Sequence, residues 1–414
     1  MIATAFPTSD RVMSDFFQNG VIATLHRLGK EPLERLEARL TEHVQSAPVA
    51  LVLPCLITEL DGPALPRIVQ HLTKMTWLKE IVVALDRADR RGFAEARRFF
   101  APLGPRCRVL WIDGPGVQTQ VRLLAEHGLE VGAPGKGRGS WLSFGYVLAR
   151  AQSRIIALHD CDITTYDRSL LARLCYPLAD QSLGYEYAKG YYARVTERMH
   201  GRVSRLFLTP LVRALDQLVG HVPLLAYLDS FRYPLAGEFA MYADLARSVR
   251  IPGDWGLEIG MLFEVYRNTA VRRVCQVDVA DNYDHKHQVL SGDDASAGLN
   301  RMAREIAKTL LRTLAMEGVV FGPGFYSTLR IAYLRTAQDT VKIYNDDAAL
   351  NALEFDRHAE SLAIEVFARA LRRACDEFEA DPMAHVGLPN WNRIDSAIPD
   401  FLERYRDAVD SELD

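Results

Sequence analysis

Short apolar runs alternate with stretches of helical periodicity between residues 49 and 158, and this alternation constrains the fold more than any other feature. The apolar runs cover residues 49–53, 81–85, 108–112 and 154–158. Between them, apolar residues recur at three- and four-residue spacing over residues 64–75, 93–100 and 141–151. Because strands that alternate with helices form parallel sheets, the sequence predicts an α/β fold.

The same patterns divide the chain into four predicted segments. Residues 1–47 form a helical N-terminal arm, with one helix over residues 9–44 on which Leu33, Leu36 and Leu40 share a face. Residues 48–170 and 171–294 form two halves of an α/β unit, and residues 295–414 form a helical C-terminal region. Within the last two segments we expect strands at 187–192 and 271–279 and helices at 202–219, 238–249, 258–268, 302–316, 332–344 and 359–377.

Composition excludes several classes of partner. The 49 Lys and Arg residues against 53 Asp and Glu residues leave a net charge of −4, so no bulk attraction to nucleic acid or to an anionic membrane is built in. No apolar run approaches the roughly 20 residues of a membrane-spanning helix. Asp10, Arg11 and Asp15 interrupt the N-terminus, which argues against a secretory signal, so we expect a cytoplasmic protein with reduced cysteines.

Two carboxylates follow the apolar run at 154–158, in the sequence Asp160-Cys161-Asp162. Residues i and i+2 of an extended segment point the same way, so both acids can face one ligand at the carboxyl end of a strand. Hard oxygen donors suit Mg²⁺ or Mn²⁺ bound to a diphosphate. His285 or His287, after the last predicted strand, can complete such a metal site with a neutral imidazole.

A glycine-rich segment with two basic residues, 133–140, precedes the helix predicted from residue 141. Its glycines let the backbone approach a phosphate, and Lys136 and Arg138 add positive charge near a helix N-terminus. It is not a P-loop, because Glu130 stands where that motif requires glycine and Gly137 where it requires Ser or Thr. Nor does it have the spacing of a dinucleotide-binding loop.

Three further acids lie in apolar surroundings. Asp86 ends the predicted strand at 81–85, where a carboxylate can accept hydrogen bonds from a ribose or a base. Glu238 and Glu258 have glycine neighbours within apolar segments. A buried acid is costly unless it is paired or functional, so each is either a site residue or the start of a helix.

Taken in order, these segments resemble the glucosyl-3-phosphoglycerate synthases, which are retaining glycosyltransferases, and more distantly the mannosyl-3-phosphoglycerate synthases. The resemblance covers residues 49–289 and rests on the motifs Leu-Val-Leu-Pro (51–54), Leu-Asp (85–86), Pro-Gly-Lys-Gly (134–137), Asp-Cys-Asp (160–162), Gly-Arg-Val-Ser (201–204), Gly-Glu-Phe-Ala (237–240), Gly-Leu-Glu-Ile-Gly (256–260) and His285. It implies the GT-A fold, a Rossmann-like nucleotide-diphospho-sugar transferase fold with a mixed central sheet. Residues 55–59 and Arg87 depart from the family pattern.

The resemblance also implies a role for each motif in a metal-dependent transfer of glucose from UDP-glucose to 3-phosphoglycerate by a homodimer. The nucleotide sugar would be bound by Pro54, Asp86, Lys136, Gly137 and Asp160, and the donor glucose would be bordered by Glu238 and Glu258. Asp162 and His285 would hold Mg²⁺ or Mn²⁺. The phosphorylated acceptor would be bound by Gly201, Arg202, Val203 and Ser204.

Other functions remain open from the residues alone. The donor can be GDP-mannose, as in a mannosyl-3-phosphoglycerate synthase, or the acceptor can be glycerate. A glycine-rich loop with paired acids also suits a sugar nucleotidyltransferase, although that class carries the loop directly after the first strand. A catalytically silent nucleotide-binding protein is the remaining class.

Overall fold

The computed structural model describes residues 18, 20–29, 31–285, 298–383 and 387–413. Within these residues, eight strands form one mixed sheet in the order β1-β8-β6-β7-β5-β2-β3-β4. Only β7 runs antiparallel to its neighbours, β5 and β6. The strands are β1 (Ala23–Leu25), β2 (Val49–Leu56), β3 (Leu78–Asp86), β4 (Cys107–Trp111), β5 (Ile155–Leu158), β6 (Tyr187–Tyr192), β7 (Phe239–Tyr242) and β8 (Val274–Ala280).

Helices cover both faces of the sheet and make up most of the C-terminal region. They are α1 (Leu33–His43), α2 (Ala64–Leu72), α3 (Arg90–Phe100), α4 (Pro115–Glu126), α5 (Lys136–Arg150), α6 (Arg168–Ala179), α7 (Thr209–Val219), α8 (Pro223–Asp229), α9 (Ala243–Ser248), α10 (Leu257–Asn268), α11 (Gly298–Met316), α12 (Phe325–Leu350), α13 (Arg357–Ala380), α14 (Trp391–Ala397) and α15 (Phe401–Leu413). The helices expected at 302–316, 332–344 and 359–377 are α11, α12 and α13, each longer than predicted, while α14 and α15 were not predicted individually.

The central strands are buried on both faces, which explains their continuous apolar sequences. Residues 49–53 of β2 and 155–158 of β5 are fully inaccessible to solvent. In β2, Val49 to Val52 pair in parallel with Ile155 to Leu158 of β5. The carboxyl ends of β2, β3 and β5 therefore meet at one edge of the sheet, where Asp86 and Asp160 lie.

Two predicted helices are wrong. The helix expected over residues 9–44 begins only at Leu33 in the part that the structure describes, because Ala23–Leu25 is a strand that pairs in parallel with β8 at the sheet edge. The helix expected over 238–249 is strand β7 followed by the short helix α9. Phe239–Tyr242 is inserted between β5 and β6, where the backbone hydrogen bonds of two neighbours outweigh the helical spacing of its apolar residues.

The helix expected over 202–219 has two parts. Val203–Leu208 is a π-helix, and α7 continues from it in regular α-helical geometry. π-Helical turns are rare and frequently mark functional sites. Both α12 and α13 of the C-terminal region pack against this π-helix, while α15 packs against α4 and α5.

Membrane-spanning helices and disulfides are both absent from the described residues. None of the helices there combines the length and the apolar character needed to cross a bilayer. All six cysteines lie in the described ranges, and none forms a disulfide there.

Candidate active site

The acidic turn after β5 lies at the carboxyl edge of the sheet. Asp160 and Asp162 follow His159 in it, and each keeps about a fifth of its side chain exposed, at 22% and 23%. Gly237, which precedes Glu238 and β7, packs directly on the first acid. A Cβ atom at Gly237 would lie 2.6 Å from Asp160 Oδ2, so only glycine lets the two loops approach this closely.

Lys136, the first residue of α5, binds two of the predicted acids at once. Its Nζ lies 2.6 Å from Asp160 Oδ1 and 3.0 Å from Glu258 Oε1. Burial disfavours the charged ammonium, but the two carboxylates outweigh it and raise the pKa of Lys136 above its usual range. Burial likewise opposes ionisation of Asp160, yet the Lys136 charge and hydrogen bond lower the pKa of that carboxyl. Lys136 thus joins Asp160 and Glu258 in one cluster of close contacts.

Asp162 and His285 lie beside this cluster, as the sequence predicted. His285 Nδ1 is 3.5 Å from Asp162 Oδ2. An isolated antiparallel β-bridge between Ile163 and His285 holds the segment after β5 against the segment after β8. Asp162 Oδ1 is buried and has no hydrogen-bond partner among the residues that the structure describes. Carboxylate oxygen and imidazole nitrogen are donors that Mg²⁺ or Mn²⁺ accepts, so the pair fits a divalent cation.

The described ranges contain no group of three or more His, Cys, Asp or Glu side chains arranged to hold a metal. Two protein ligands suffice where a substrate and water fill the other positions, as Mg²⁺ sites that bind phosphates usually arrange. His287, the alternative histidine, lies outside the described residues.

Glu238 is fully buried and accepts hydrogen bonds from two tyrosines that the sequence reasoning missed. Tyr192 donates a hydrogen bond of 2.7 Å to Oε2, and Tyr283 one of 2.5 Å to Oε1. The two rings stack in parallel with centroids 3.8 Å apart. Burial and the nearby Asp160 charge raise the pKa of Glu238, although both hydroxyls partly oppose this. Glu238 is not a helix start, which was the alternative interpretation.

A buried lysine, also missed, supports the loop that carries Glu238. Lys189 lies on the central strand β6, is inaccessible to solvent, and donates a hydrogen bond of 2.6 Å to the Ala236 carbonyl. Burial lowers the pKa of Lys189 to about 8, with Glu258 and Glu238 acting in the opposite sense. A charge surrounded by apolar strand residues was the available sequence signal.

The predicted nucleotide side lies at the ends of β2 and β3. Pro54 is half-buried in β2 and pairs with Ala84 of β3, while Asp86 ends β3. Burial and the neighbouring Asp113 raise the pKa of Asp86, and the Arg138 charge partly offsets this. Asp113, at the end of β4, was not predicted, although it follows a strand in the same way as Asp86.

Gly137 has a structural role that the phosphate-loop interpretation did not include. A Cβ atom there would overlap the Pro252 carbonyl oxygen and come within 2.8 Å of the Gly253 carbonyl carbon. The Gly135 position is similar, at 2.8 Å from the Gly253 oxygen. These glycines therefore let the first turn of α5 pack on the loop before α10, which brings Lys136 to Glu258.

The predicted acceptor-binding residues form one turn that leads into the π-helix, with Val203 and Ser204 as its first two residues. Gly201 has φ +75°, which glycine adopts without strain, and Val203 and Ser204 are buried. Ser204 Oγ has no hydrogen-bond partner among the described residues. Arg202 donates from Nε to Glu360 Oε1 at 2.7 Å, a partner on α13 that the sequence did not indicate.

The mixed eight-stranded sheet with its flanking helices is that of the GT-A fold, which solved structures of similar proteins share. The chain is similar to the mannosyl-3-phosphoglycerate synthase from Rubrobacter xylanophilus, with TM-score 0.54 and 22% identity, covering 73% of this chain and 84% of the other. It is also similar to the Mycobacterium tuberculosis glucosyl-3-phosphoglycerate synthase in complex with Mn²⁺, UDP and glucosyl-3-phosphoglycerate, with TM-score 0.52 and 21% identity, covering 71% and 88%. These likenesses confirm the predicted fold.

Curated relatives give the family. No protein-family model matches the chain. The glucosyl-3-phosphoglycerate synthase from Persephonella marina is 46% identical over 400 residues, covering 97% of this chain and 99% of the relative. The one from Methanococcoides burtonii is 37% identical, covering 95% and 97%. The chain belongs to the glucosyl-3-phosphoglycerate synthase family, as its motifs predicted.

Proposed function

We propose that this chain transfers glucose from UDP-glucose to 3-phosphoglycerate with retention of anomeric configuration, releasing UDP. The names and full-length similarity of the relatives support the substrates. The observation that carries the proposal is the Lys136–Asp160–Glu258 cluster, which lies next to the Asp162–His285 pair. Such a site can hold a diphosphate on one side and a sugar on the other.

The donor is bound by the half of the site that β2, β3, β5 and α5 build. Pro54 and Asp86 would contact the uridine, and Lys136 and Gly137 the rest of the nucleotide. Asp160 would accept hydrogen bonds from the ribose and the glucose, because Lys136 keeps it ionised. The Lys136 ammonium, 2.6 Å from Asp160 in the acidic turn, can also offset diphosphate charge.

Asp162 and His285 would hold the Mg²⁺ or Mn²⁺ ion, and a bound ion supplies Lewis-acid stabilisation of the negative charge on the departing diphosphate. The buried, unpartnered Asp162 Oδ1 supports this assignment. The Mycobacterium tuberculosis synthase has been crystallised with UDP and either Mn²⁺ or Mg²⁺.

The acceptor is bound by the Gly201–Ser204 turn. Arg202 keeps a partly exposed guanidinium there, and the Ser204 hydroxyl is buried without a partner. Backbone amides at a glycine turn, a hydroxyl and a guanidinium are the donors that a phosphate or a carboxylate requires. The acceptor 3-phosphoglycerate carries both groups.

Retention needs either a covalent intermediate or attack from the same face as departure. Both oxygens of Glu238 accept tyrosine hydroxyls, and the whole residue is buried. Glu258 is paired with Lys136 and is also buried. A nucleophile needs an accessible oxygen, so these environments favour same-face attack, with the leaving phosphate accepting the proton of the acceptor hydroxyl. Glu238 and Glu258 then stabilise positive charge that develops on the sugar.

The test is an assay of the purified chain with UDP-glucose, 3-phosphoglycerate and Mg²⁺, following UDP release and the mass of the product. We expect UDP together with a glucosyl-phosphoglycerate, and neither product when the acceptor or the metal is omitted. Turnover with GDP-mannose alone, or with glycerate alone, would contradict the proposed substrates. Release of pyrophosphate from a nucleoside triphosphate would identify a nucleotidyltransferase instead, and no turnover at all would indicate a silent binder.

Assembly as a homodimer in the cytoplasm stays a prediction from the sequence, as does the division into four segments. Analytical ultracentrifugation of the full chain tests the first.

A further inference from the structure

The turn that we assign to the acceptor is built against the C-terminal helices rather than against the sheet alone. Tyr333 of α12 donates a hydrogen bond of 2.9 Å to the Leu206 carbonyl within the π-helix. Phe207 packs on Tyr333 and on Phe367 of α13, with ring centroids 5.6 and 5.5 Å apart. The π-helix is therefore fixed by two helices that lie outside the segment carrying the family motifs.

Glu360, in the first turn of α13, bridges Arg202 of the acceptor turn and Arg205 of the π-helix. Its Oε1 accepts from Arg202 Nε at 2.7 Å, and its Oε2 accepts from Arg205 Nη2 at 3.0 Å. Glu360 is 5% exposed. A buried carboxylate is stable only when its oxygens are paired, and here each oxygen has its own guanidinium.

The two arginines differ in whether their guanidinium groups can still reach a ligand once they are paired with Glu360. Arg205 is buried, donates from Nε to the His200 carbonyl at 2.8 Å, and lies over the Tyr344 ring at 4.8 Å. Arg202 uses only its Nε, its side chain is 36% exposed, and its two terminal nitrogens have no hydrogen bond within the described ranges. A guanidinium held at Nε presents its terminal fork in a fixed direction, which suits bidentate binding of an anion.

We propose that Glu360 is a positioning residue for the acceptor: it holds Arg202 so that the terminal fork meets an anionic group of 3-phosphoglycerate. The C-terminal helical region thereby contributes to acceptor binding without touching the substrate. The inference rests on the proposed function, because the turn is assigned to the acceptor there.

The test is steady-state kinetics of Glu360→Gln with each substrate varied in turn. An amide is nearly isosteric but has one acceptor oxygen, so it cannot satisfy both guanidinium groups. We expect the KM for 3-phosphoglycerate to rise roughly tenfold or more, the scale of one charge-assisted hydrogen bond. The KM for UDP-glucose should be unchanged and kcat should change less than the acceptor KM. Glu360→Asp, which keeps the charge, should recover part of the acceptor affinity.

Glu377→Gln is the matched control. Glu377 lies on the same helix and accepts from Arg304 at 3.2 Å and Lys308 at 2.7 Å, far along α13 from the acceptor turn. It should change neither KM. An acceptor KM unchanged in Glu360→Gln, or raised equally with the donor KM, would overturn the inference.

Two further measurements keep the outcomes separate. If Glu360→Gln does not fold, as judged by its thermal unfolding, the acceptor KM of Glu360→Asp decides by the same criterion. If the wild-type chain turns over no substrate, the proposed function fails. Glu360 is then tested by calorimetric binding of 3-phosphoglycerate, where equal affinity of wild type and variant, or none in either, overturns the inference.

Discussion

Lys136 Nζ lies 2.6 Å from Asp160 Oδ1, and this contact joins the start of helix α5 to the acidic turn after strand β5. The same ammonium reaches Glu258 on α10 at 3.0 Å. Three elements that are distant in sequence therefore meet at one cation. Both carboxylates depend on it, because without it they would face each other across a mostly buried space.

Replacing Lys136 by methionine tests this dependence. Removing one partner of a largely buried ion pair costs roughly 3–5 kcal/mol, since the remaining charges lose their compensation. We expect a lower Tm and a fall in kcat/KM for UDP-glucose of roughly a hundredfold or more. Both the direct contact of Lys136 with the nucleotide and its support of Asp160 would be lost. Lys136→Arg, which keeps the charge, should lose less stability. Wild-type kcat/KM in Lys136→Met would be incompatible with a role in donor binding.

Gly137 and Gly139, two positions in the first turns of α5, form a matched pair for the packing argument. Gly137→Ala places a methyl group against the Pro252 carbonyl, so the free energy of unfolding should fall by roughly 1–3 kcal/mol. At Gly139 a Cβ atom meets nothing within 4 Å. Gly139→Ala should therefore stabilise the chain by up to about 1 kcal/mol through helix propensity. Urea denaturation measures both, and equal effects would contradict the packing model.

His159 predicts how stability depends on pH. The residue is fully buried, its Nδ1 lies 2.8 Å from the Asp160 carbonyl oxygen, and burial lowers the pKa of His159 to about 4. The unfolded chain therefore takes up a proton below pH 6.5 that the folded chain takes up only near pH 4. Stability should fall as pH drops through that window, by at most about 1.4 kcal/mol per pH unit from this group.

His159→Asn, which keeps a side-chain donor, provides the comparison for that prediction. The variant should lose stability less steeply than the wild type between pH 6.5 and 4, when unfolding in urea is measured at each pH. Parallel curves would mean that His159 does not remain neutral in the folded chain.

Asp162→Ala tests the metal assignment in solution. The variant should lose turnover and the metal-dependent part of UDP-glucose binding, because one of two protein ligands is gone. Binding of 3-phosphoglycerate, measured by calorimetry, should persist, since the Gly201–Ser204 turn is separate from Asp162. Near-normal activity in Asp162→Ala would refute the assignment.

Arg202→Ala tests the acceptor turn directly. The acceptor KM should rise roughly tenfold or more, since a charge-assisted hydrogen bond to an anion is lost. The KM for UDP-glucose serves as the internal control and should not change. An unchanged KM for 3-phosphoglycerate would mean that the acceptor site lies elsewhere.

Sequence reasoning predicted the parts of this fold that burial determines. Residues 49–53 and 155–158 lie in strands that are covered on both faces, and such strands are apolar at every position. Asp160 and Asp162 were located by the same logic, since they follow such a strand. Strand β7 was not predicted, because a run of four residues is too short to distinguish strand spacing from helix spacing. Its conformation is determined by pairing with its two neighbours in the sheet.

Side-chain contacts between distant parts of the chain could not be predicted from the spacing of residues in the sequence. Glu360 stands 158 residues after Arg202, and nothing in its own helix distinguishes it from other acidic residues near a helix start. Tyr192, at the end of β6, and Tyr283, in the segment after β8, both donate to Glu238 and were missed for the same reason. Tyr283 carried a weak signal, because it lies two residues before His285.

The central claim is that Asp162 and His285 together hold a divalent cation against the nucleotide diphosphate. Crystals of the chain grown with UDP and Mn²⁺ test this most directly, through anomalous scattering at the manganese edge. We predict one strong peak within bonding distance of Asp162, of a His285 ring nitrogen and of a diphosphate oxygen. A peak coordinated by other residues, or UDP bound with no manganese peak, would contradict the account.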